Sequence, residues 1–126
     1  MSIPKELRYS EDHEWIKVDG NKARIGITAF AQSELGDIVF VDLKPVGTKM
    51  KQGERFGTVE AVKAVSDLYS PITGEITELN PMLEKSPEIV NKEPYSGGWM
   101  VKMKIANTIE VGSLLDAKKY RELIGK

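Results

Sequence analysis

The sequence has no cysteine among its 126 residues and only one histidine, His13. Without cysteine the chain cannot form disulfides, thiolate zinc sites or iron–sulfur clusters, and it has no cysteine nucleophile. A single histidine also excludes a metal site built from several imidazoles. We therefore expect no metal site, and any redox chemistry has to come from a group that the chain acquires.

Long apolar runs and an excess of one charge are absent as well. No apolar stretch approaches the roughly 20 residues of a membrane-spanning helix. The formal net charge is −1, which gives no field that attracts nucleic acid or an anionic membrane. Residues 1–8 have neither an apolar signal core nor the Arg-rich, acid-poor composition of a transit peptide. We expect a cytoplasmic protein that binds neither nucleic acid nor membranes.

The chain does have the length and composition of one globular domain. Hydrophobic residues make up 40% and charged residues 29% of the sequence, which is ordinary for a globular protein. No linker or low-complexity segment divides the chain, and its length allows one sizeable core. We expect residues 1–126 to form a single domain.

Short segments with alternating polar and apolar residues predict a mainly β fold. Residues 13–18 and 22–27 flank the turn formers Asp19-Gly20-Asn21, which indicates a β-hairpin. Residues 99–105 alternate clearly along one further strand. Together these segments predict an antiparallel β-sandwich or flattened barrel.

Two helices and a buried strand interrupt this pattern. Thr28 can cap a short helix that Gly36 ends. Residues 37–43 then predict a strand whose apolar residues 38–41 are mostly buried. Near the C-terminus a capping-box-like start and a helical apolar stripe predict a helix over about 113–124, packed on the β core.

Lys63 is the residue with the clearest chemical potential. It lies between two strand-like arms, residues 55–62 and 65–69, and its immediate neighbours are short and apolar. Tight hairpin turns favour Asn-Gly or Asp-Gly because the turn needs positive φ, whereas this tip reads Val-Lys-Ala. The unusual turn indicates a constraint other than folding.

The residues near Lys63 favour an attachment point over a nucleophile. An unperturbed lysine has a pKa of about 10.4 and is protonated at neutral pH, and the acidic Glu60 and Asp67 favour the charged form. A modifying enzyme can deprotonate such an exposed amine and acylate it. The alternative is an ordinary exposed lysine on a β-sandwich adaptor without a prosthetic group. We interpret His13, which has no partner for catalysis, as a packed or hydrogen-bonded strand residue.

Residues 53–74 resemble the attachment pattern of biotinyl/lipoyl carriers. They contain a Gly53-Glu54 turn, Glu60 three residues before the lysine, and the turn 70–74 after it. More narrowly, the chain resembles the H proteins of the glycine cleavage system. The shared segments span nearly the whole chain: His13–Trp15, Ile25–Thr28, Leu35–Val41, Val59–Ala64, Asn91, Pro94–Tyr95 and Gly98–Met100.

The resemblance implies a non-catalytic carrier with a lipoyl-domain-like barrel-sandwich hybrid fold, whose core covers about residues 22–105. Lipoic acid would be linked through an amide to Lys63. A pyridoxal-phosphate glycine decarboxylase (P protein) would load the arm with an aminomethyl group. A tetrahydrofolate-dependent aminomethyltransferase (T protein) would take it, and dihydrolipoamide dehydrogenase (L protein) would reoxidise the arm. Carriers of this kind are usually monomeric, and a shuttle needs only modest affinity for each partner.

Further residue roles are implied by the same resemblance. Glu60 and Gly74 match positions used in recognition by lipoylating enzymes, while Glu14, Asp67 and Asp12 match acidic groups that hold the loaded arm in a cleft. Asp12 stands where some relatives have serine. The alternative is structural: Glu60 is solvated, Gly74 is a turn glycine with positive φ, and the three carboxylates form a solvated edge.

Other carrier families fit less well. Biotin carriers usually have Met on both sides of the lysine, where this chain has Val62 and Ala64. Lipoyl domains of 2-oxoacid dehydrogenases usually have Asp before the lysine. A lipoyl relay, which donates lipoyl groups to other carriers, would use the same lysine, so the sequence leaves relay and glycine cleavage both open. Trp15, Tyr95 and Trp99 are expected to be core or edge aromatics.

Overall fold

The computed structural model describes residues 2–125, which form nine strands and five short helices. The strands are β1 (Arg8–Tyr9), β2 (Glu14–Asp19), β3 (Lys22–Ile27), β4 (Ile38–Leu43), β5 (Lys49–Met50), β6 (Arg55–Ala61), β7 (Val65–Tyr69), β8 (Gly74–Leu79) and β9 (Val101–Ile105). The helices are α1 (Ala29–Leu35), α2 (Met82–Lys85), α3 (Ile89–Lys92), α4 (Ile109–Gly112) and α5 (Ala117–Leu123).

The strands form two antiparallel sheets that do not close into a barrel. One sheet has the order β1-β2-β3-β9-β8-β5, and the other has the order β4-β6-β7. The predicted hairpin is present as β2 and β3, with Asp19 paired to Lys22 across the turn. The predicted antiparallel sandwich with short helices and a C-terminal helix is confirmed. No helix within residues 2–125 has both the length and the apolar character needed to cross a bilayer.

Two groups of buried side chains hold the elements together. The main core fills the space between the sheets, and a smaller one joins the N-terminal residues to β2 and α5. The smaller core consists of Ile3, Leu7, Tyr9, Trp15, Ala117 and Tyr120. Burial of such side chains is the main favourable contribution to folding.

Helix α1 begins and ends as predicted. The Thr28 hydroxyl caps it by accepting a hydrogen bond from the Ala31 N–H. Gly36 follows its last turn with φ 83° and ψ −158°, a backbone region that essentially only glycine adopts. This glycine sends the chain into β4.

The prediction that the apolar residues of β4 are mostly buried is wrong. Ile38 is 2% exposed, but Val39 and Phe40 are 55% and 53% exposed. β4 is an edge strand of the small sheet, and its pairing shifts register between Ile38 and Phe40. Only part of the strand therefore faces the core, and the remainder adds apolar surface to the outside of the small sheet.

The C-terminal helix is shorter than the expected 113–124. It covers Ala117–Leu123, and Asp116 caps its N-terminus through its carboxylate. Leu115 cannot belong to the helix because it pairs with Tyr9 in two backbone hydrogen bonds of 2.8 Å. The long-range bridge to β1, which no local pattern reveals, sets the helix start.

Candidate functional site

Lys63 lies at the tip of the hairpin between β6 and β7, with its side chain exposed. The tip is supported from below by the loop that follows α1. The Lys63 N–H donates to the Leu35 carbonyl at 3.1 Å, and the Val62 N–H donates to the Asp37 carbonyl at 3.0 Å. The attachment candidate therefore lies at a fixed hairpin tip.

These contacts explain why the turn lacks Asn-Gly. None of residues 62–64 has positive φ, and the N–H groups of Val62 and Lys63 are satisfied by the neighbouring loop instead of a tight turn. Gly36 of that loop lies beneath the lysine, since a Cβ atom there would be only 3.2 Å from Lys63 Cγ. The aliphatic part of Lys63 packs over this glycine.

Glu60 lies on the outer face of the small sheet, close to the tip. It is exposed, and its neighbours across the sheet are Phe40 on β4 and Val65 on β7. Within residues 2–125 the one ion pair joins Lys102 to Glu78 at 3.3 Å, so Glu60 has no salt bridge to a described residue. Its carboxylate is open to a partner.

Gly74 lies in the other sheet, at the start of β8 and beyond the far end of β7 from Lys63. It does not have positive φ, so the alternative reading as a turn glycine with positive φ is wrong. It is buried against β9, and a Cβ atom here would overlap the carbonyl oxygen of Lys104. A cavity of about 470 Å³ opens beside it and contains neither Lys63 nor the predicted acidic residues.

Gly74→Ala is expected to lower the free energy of unfolding by about 1–3 kcal/mol, because the added methyl has to push β8 from β9. Gly112→Ala is the control: apart from its chain neighbours and the backbone of its own helix, no atom of residues 2–125 lies within 4 Å of its Cβ position, and in helix α4 we expect no loss. Denaturant unfolding of both variants measures the difference. Equal stabilities would show that β8 and β9 can separate freely.

Glu14, the first residue of β2, is 1% exposed. Its carboxyl accepts a hydrogen bond from the Ser10 hydroxyl at 2.5 Å and another from the Tyr69 N–H at 3.2 Å. Tyr69 lies on β7, an edge strand of the small sheet. No further strand within residues 2–125 accepts a hydrogen bond from its N–H, and the Glu14 carboxyl takes that place. Burial raises the pKa of Glu14 to about 8, although both hydrogen bonds oppose the shift.

Asp12 and Glu14 line one cavity of about 230 Å³, together with Ser10, Gln52 and Ser70. Asp12 is exposed at its rim. The structure thus brings two of the three predicted acidic residues together. The cavity opens where β2 meets the end of β7, on the side of the hairpin away from the tip.

Asp67 does not line this cavity. It is exposed on β7, where one carboxylate oxygen lies 3.4 Å from the Thr58 hydroxyl and the other lies 3.5 Å from the Tyr69 hydroxyl. Because a strand rises about 3.4 Å per residue, Asp67 is about 7 Å along β7 from Val65, the first residue after the tip. Asp67 therefore lies between the lysine and the cavity.

His13 is hydrogen-bonded, as predicted: its Nδ1 lies 2.9 Å from the Tyr120 hydroxyl. It is not a strand residue, because its φ of 70° is left-handed and β2 begins one residue later. Burial lowers the pKa of His13. Tyr120 also bonds Thr28 at 2.7 Å, so the histidine belongs to the packing between α5 and α1.

The three large aromatics are structural, as predicted. Trp15 is fully buried, and its Nε1 donates to the Pro94 carbonyl at 2.8 Å. Tyr95 and Trp99 are half-buried at the edge of the smaller core. None of the three lines the cavity beside Glu14.

The part that loop 35–38, which joins α1 to β4, plays beneath Lys63 is not evident from the sequence. Gly36 is the available signal, but in the sequence it indicates only the end of a helix. The contacts join residues about 25 positions apart in the chain, and single-sequence periodicity does not report such pairs.

Comparison with known proteins identifies the family. The family model described as "Glycine cleavage H-protein" matches residues 7–126. The chain belongs to this family. The resemblance found in the sequence is thereby confirmed, and the family match covers both Lys63 and the elements that support it.

Relatives in this family match the chain over its full length. The glycine cleavage system H protein of Pelodictyon phaeoclathratiforme is 60% identical over 128 residues, covering 100% of both chains. That of Brevibacillus brevis is 55% identical over 124 residues, covering 98% of both. The crystal structure of the H protein from Mycobacterium marinum superposes with a TM-score of 0.90 at 38% identity, covering 98% of this chain and 100% of that one.

Proposed function

We propose that this family member is the lipoyl carrier of a glycine cleavage system, with lipoic acid in amide linkage to Lys63. The observation that carries the proposal is the placement of Lys63: an exposed amine at a hairpin tip whose backbone is fixed by a second loop. Such an amine is accessible to a modifying enzyme. The chain itself is a carrier and catalyses no step.

The residues near Lys63 fit a lipoyl group. The lysine has no salt bridge to any residue in 2–125, and its stem lies over Gly36, where a Cβ atom would come within 3.2 Å of Lys63 Cγ. The outer side of β7 leads from the tip past Asp67 towards Glu14. When bound, the group supplies a disulfide that can be reduced to two thiols, which this cysteine-free chain lacks.

The acidic residues are proposed to hold the loaded arm. A primary amine is cationic at neutral pH, and a carboxylate contact with it is charge-assisted. Asp12 at the cavity and Asp67 on β7 supply carboxyl groups for this contact, and a cation in the cavity favours the ionised form of Glu14. Because Glu14 is 1% exposed, an amine that contacts it has to enter the cavity.

The proposed partners follow from the family. The chain accepts an aminomethyl group at the P protein, delivers it to the T protein and is reoxidised by the L protein. Residues 1–126 act as one monomeric lipoyl-carrier domain with its core over about 22–105. Lipoylating enzymes contact Glu60 directly, whereas Gly74 contributes through the backbone shape that it allows. A relay of lipoyl groups to other carriers uses the same lysine, and a transfer assay with a second carrier tests it.

The test is intact-mass analysis of the protein purified from a host that makes lipoate. We expect an adduct of lipoyl mass, and fragmentation of the peptide that contains residues 55–69 places it on Lys63. A biotin-sized adduct would assign the chain to the other carrier class. Quantitative absence of any adduct would favour the adaptor without a prosthetic group.

A further inference from the structure

Loop 35–38 determines the direction of Lys63. The tip donates two backbone hydrogen bonds to this loop, one to Leu35 and one to Asp37, and the lysine stem lies over Gly36 between them. A movement of the loop would therefore move the lysine. What holds the loop also controls where the amine points.

The side chain of Asn91, on α3, holds this loop on both sides of Asp37. Its Oδ1 accepts from the Ile38 N–H at 2.8 Å. Its Nδ2 donates to the Gly36 carbonyl at 2.9 Å and to Gln32 Oε1 at 2.8 Å. One amide thus joins the end of α1, the loop and the start of β4.

The loop needs such a clamp because its glycine does not fix the backbone by itself. Gly36 adopts φ 83° and ψ −158°, and because glycine populates several backbone regions about equally well, contacts from outside the loop have to select this one. We propose that Asn91 is a positioning residue, which fixes the direction of Lys63 through loop 35–38 for the enzymes that acylate it. The part of this inference that concerns acylation rests on the proposed function.

Asn80 provides a matched control. Its Nδ2 donates to the carbonyls of Gly97 and Trp99 at 2.8 and 2.7 Å, and its Oδ1 accepts from the Met82 N–H at 3.1 Å. Like Asn91, it donates two hydrogen bonds and accepts one, but none of its partners belongs to loop 35–38 or to the tip. Asn91→Leu and Asn80→Leu each remove three hydrogen bonds and keep the number and branching of the side-chain heavy atoms.

The first measurement is amide hydrogen exchange of Val62 and Lys63 under native conditions, relative to amides of the β2–β3 hairpin. Asn91→Leu is expected to speed exchange of both amides about tenfold, the typical effect of losing a hydrogen bond. Asn80→Leu should leave their relative exchange unchanged. Unchanged exchange in the Asn91 variant, or equal acceleration in both variants, would overturn the proposal.

The second measurement is lipoylation of the apo chain by a lipoate–protein ligase supplied with lipoate and ATP. We expect kcat/KM to fall about tenfold for Asn91→Leu and to be unchanged for Asn80→Leu. Equal rates for the two variants would contradict the positioning role. If the wild-type chain is not acylated on Lys63, the proposed function fails. Hydrogen exchange would still show whether Asn91 stabilises the loop beneath the tip.

A milder pair of variants covers the case in which leucine prevents folding. Asn91→Asp keeps the acceptor for Ile38 and loses the two donated bonds, and Asn80→Asp does the same at the control site. In both measurements we expect Asn91→Asp to differ from Asn80→Asp in the same direction as the leucine variants do, but by a smaller factor. No difference between the Asp variants would reject the positioning role.

Discussion

Lys63→Arg leaves the fold intact and abolishes attachment of the lipoyl group. Arginine keeps the positive charge and an aliphatic stem that can lie over Gly36. Its guanidinium has a pKa above about 12 and does not become a free amine in a modifying enzyme. We expect no lipoyl adduct by intact mass and glycine-dependent carbon dioxide exchange at background level.

Lys17→Arg is the control for this substitution. Lys17 is an exposed lysine on β2 and should keep both the adduct and the exchange activity when replaced. Because surface substitutions usually change stability by less than about 0.5 kcal/mol, both variants should unfold at the wild-type denaturant concentration. Activity surviving in the Lys63 variant would mean that the arm is attached elsewhere.

Glu14→Gln makes the protein more stable than wild type at alkaline pH. The ordinary pKa of a glutamate is 4.5, and burial raises that of Glu14 to about 8 in the folded chain. Between these values the folded state binds more protons than the unfolded state, so the wild-type free energy of unfolding falls as pH rises from about 4.5 to about 8. Below pH 4.5 the contribution of Glu14 to the free energy of unfolding is fully present.

Glutamine imitates the protonated acid in this site. Its amide can donate to the Ser10 hydroxyl and accept from the Tyr69 N–H, the two groups that Glu14 contacts. Since glutamine cannot ionise, the free energy of unfolding of the variant should not fall with pH in this way. At pH 9 it should exceed that of the wild type by a few kcal/mol. Denaturant unfolding at pH 5, 7 and 9 measures this. The control is Glu11→Gln, which changes an exposed residue at the same cavity. If the free energy of unfolding depended on pH equally in the wild type and the Glu14 variant, the prediction would be contradicted.

The same substitution tests the proposed holding of the loaded arm. A cationic amine in the cavity favours the ionised form of Glu14, and a hydrogen bond to a charged group is worth about 1.5–3 kcal/mol. The Gln variant should therefore lose the aminomethyl group from the loaded chain roughly ten times faster or more. An unchanged rate of loss would remove Glu14 from this role.

Short-range features of the fold could be predicted from the sequence. The turn formers after Asp19 and the Thr28 cap act over a few residues, and both produce the expected hairpin and helix. The exposed face of β4 and the late start of α5 could not be predicted. Both depend on pairing with distant strands, at the edge of the small sheet and with Tyr9 respectively, and a local pattern carries no information on such pairs.

The candidate site divides in the same way. The sequence by itself determined which chemistry is possible: no cysteine, one histidine, and an amine at Lys63 between short apolar residues. Only the tertiary structure decided that Glu14 is buried and that Asp12 shares its cavity while Asp67 does not. It also decided that Asn91 and Gly36 support the lysine. The physical reason is that desolvation and close packing come from residues distant in the chain, whereas the reactivity of an amine or the lack of a thiol belongs to the residues themselves.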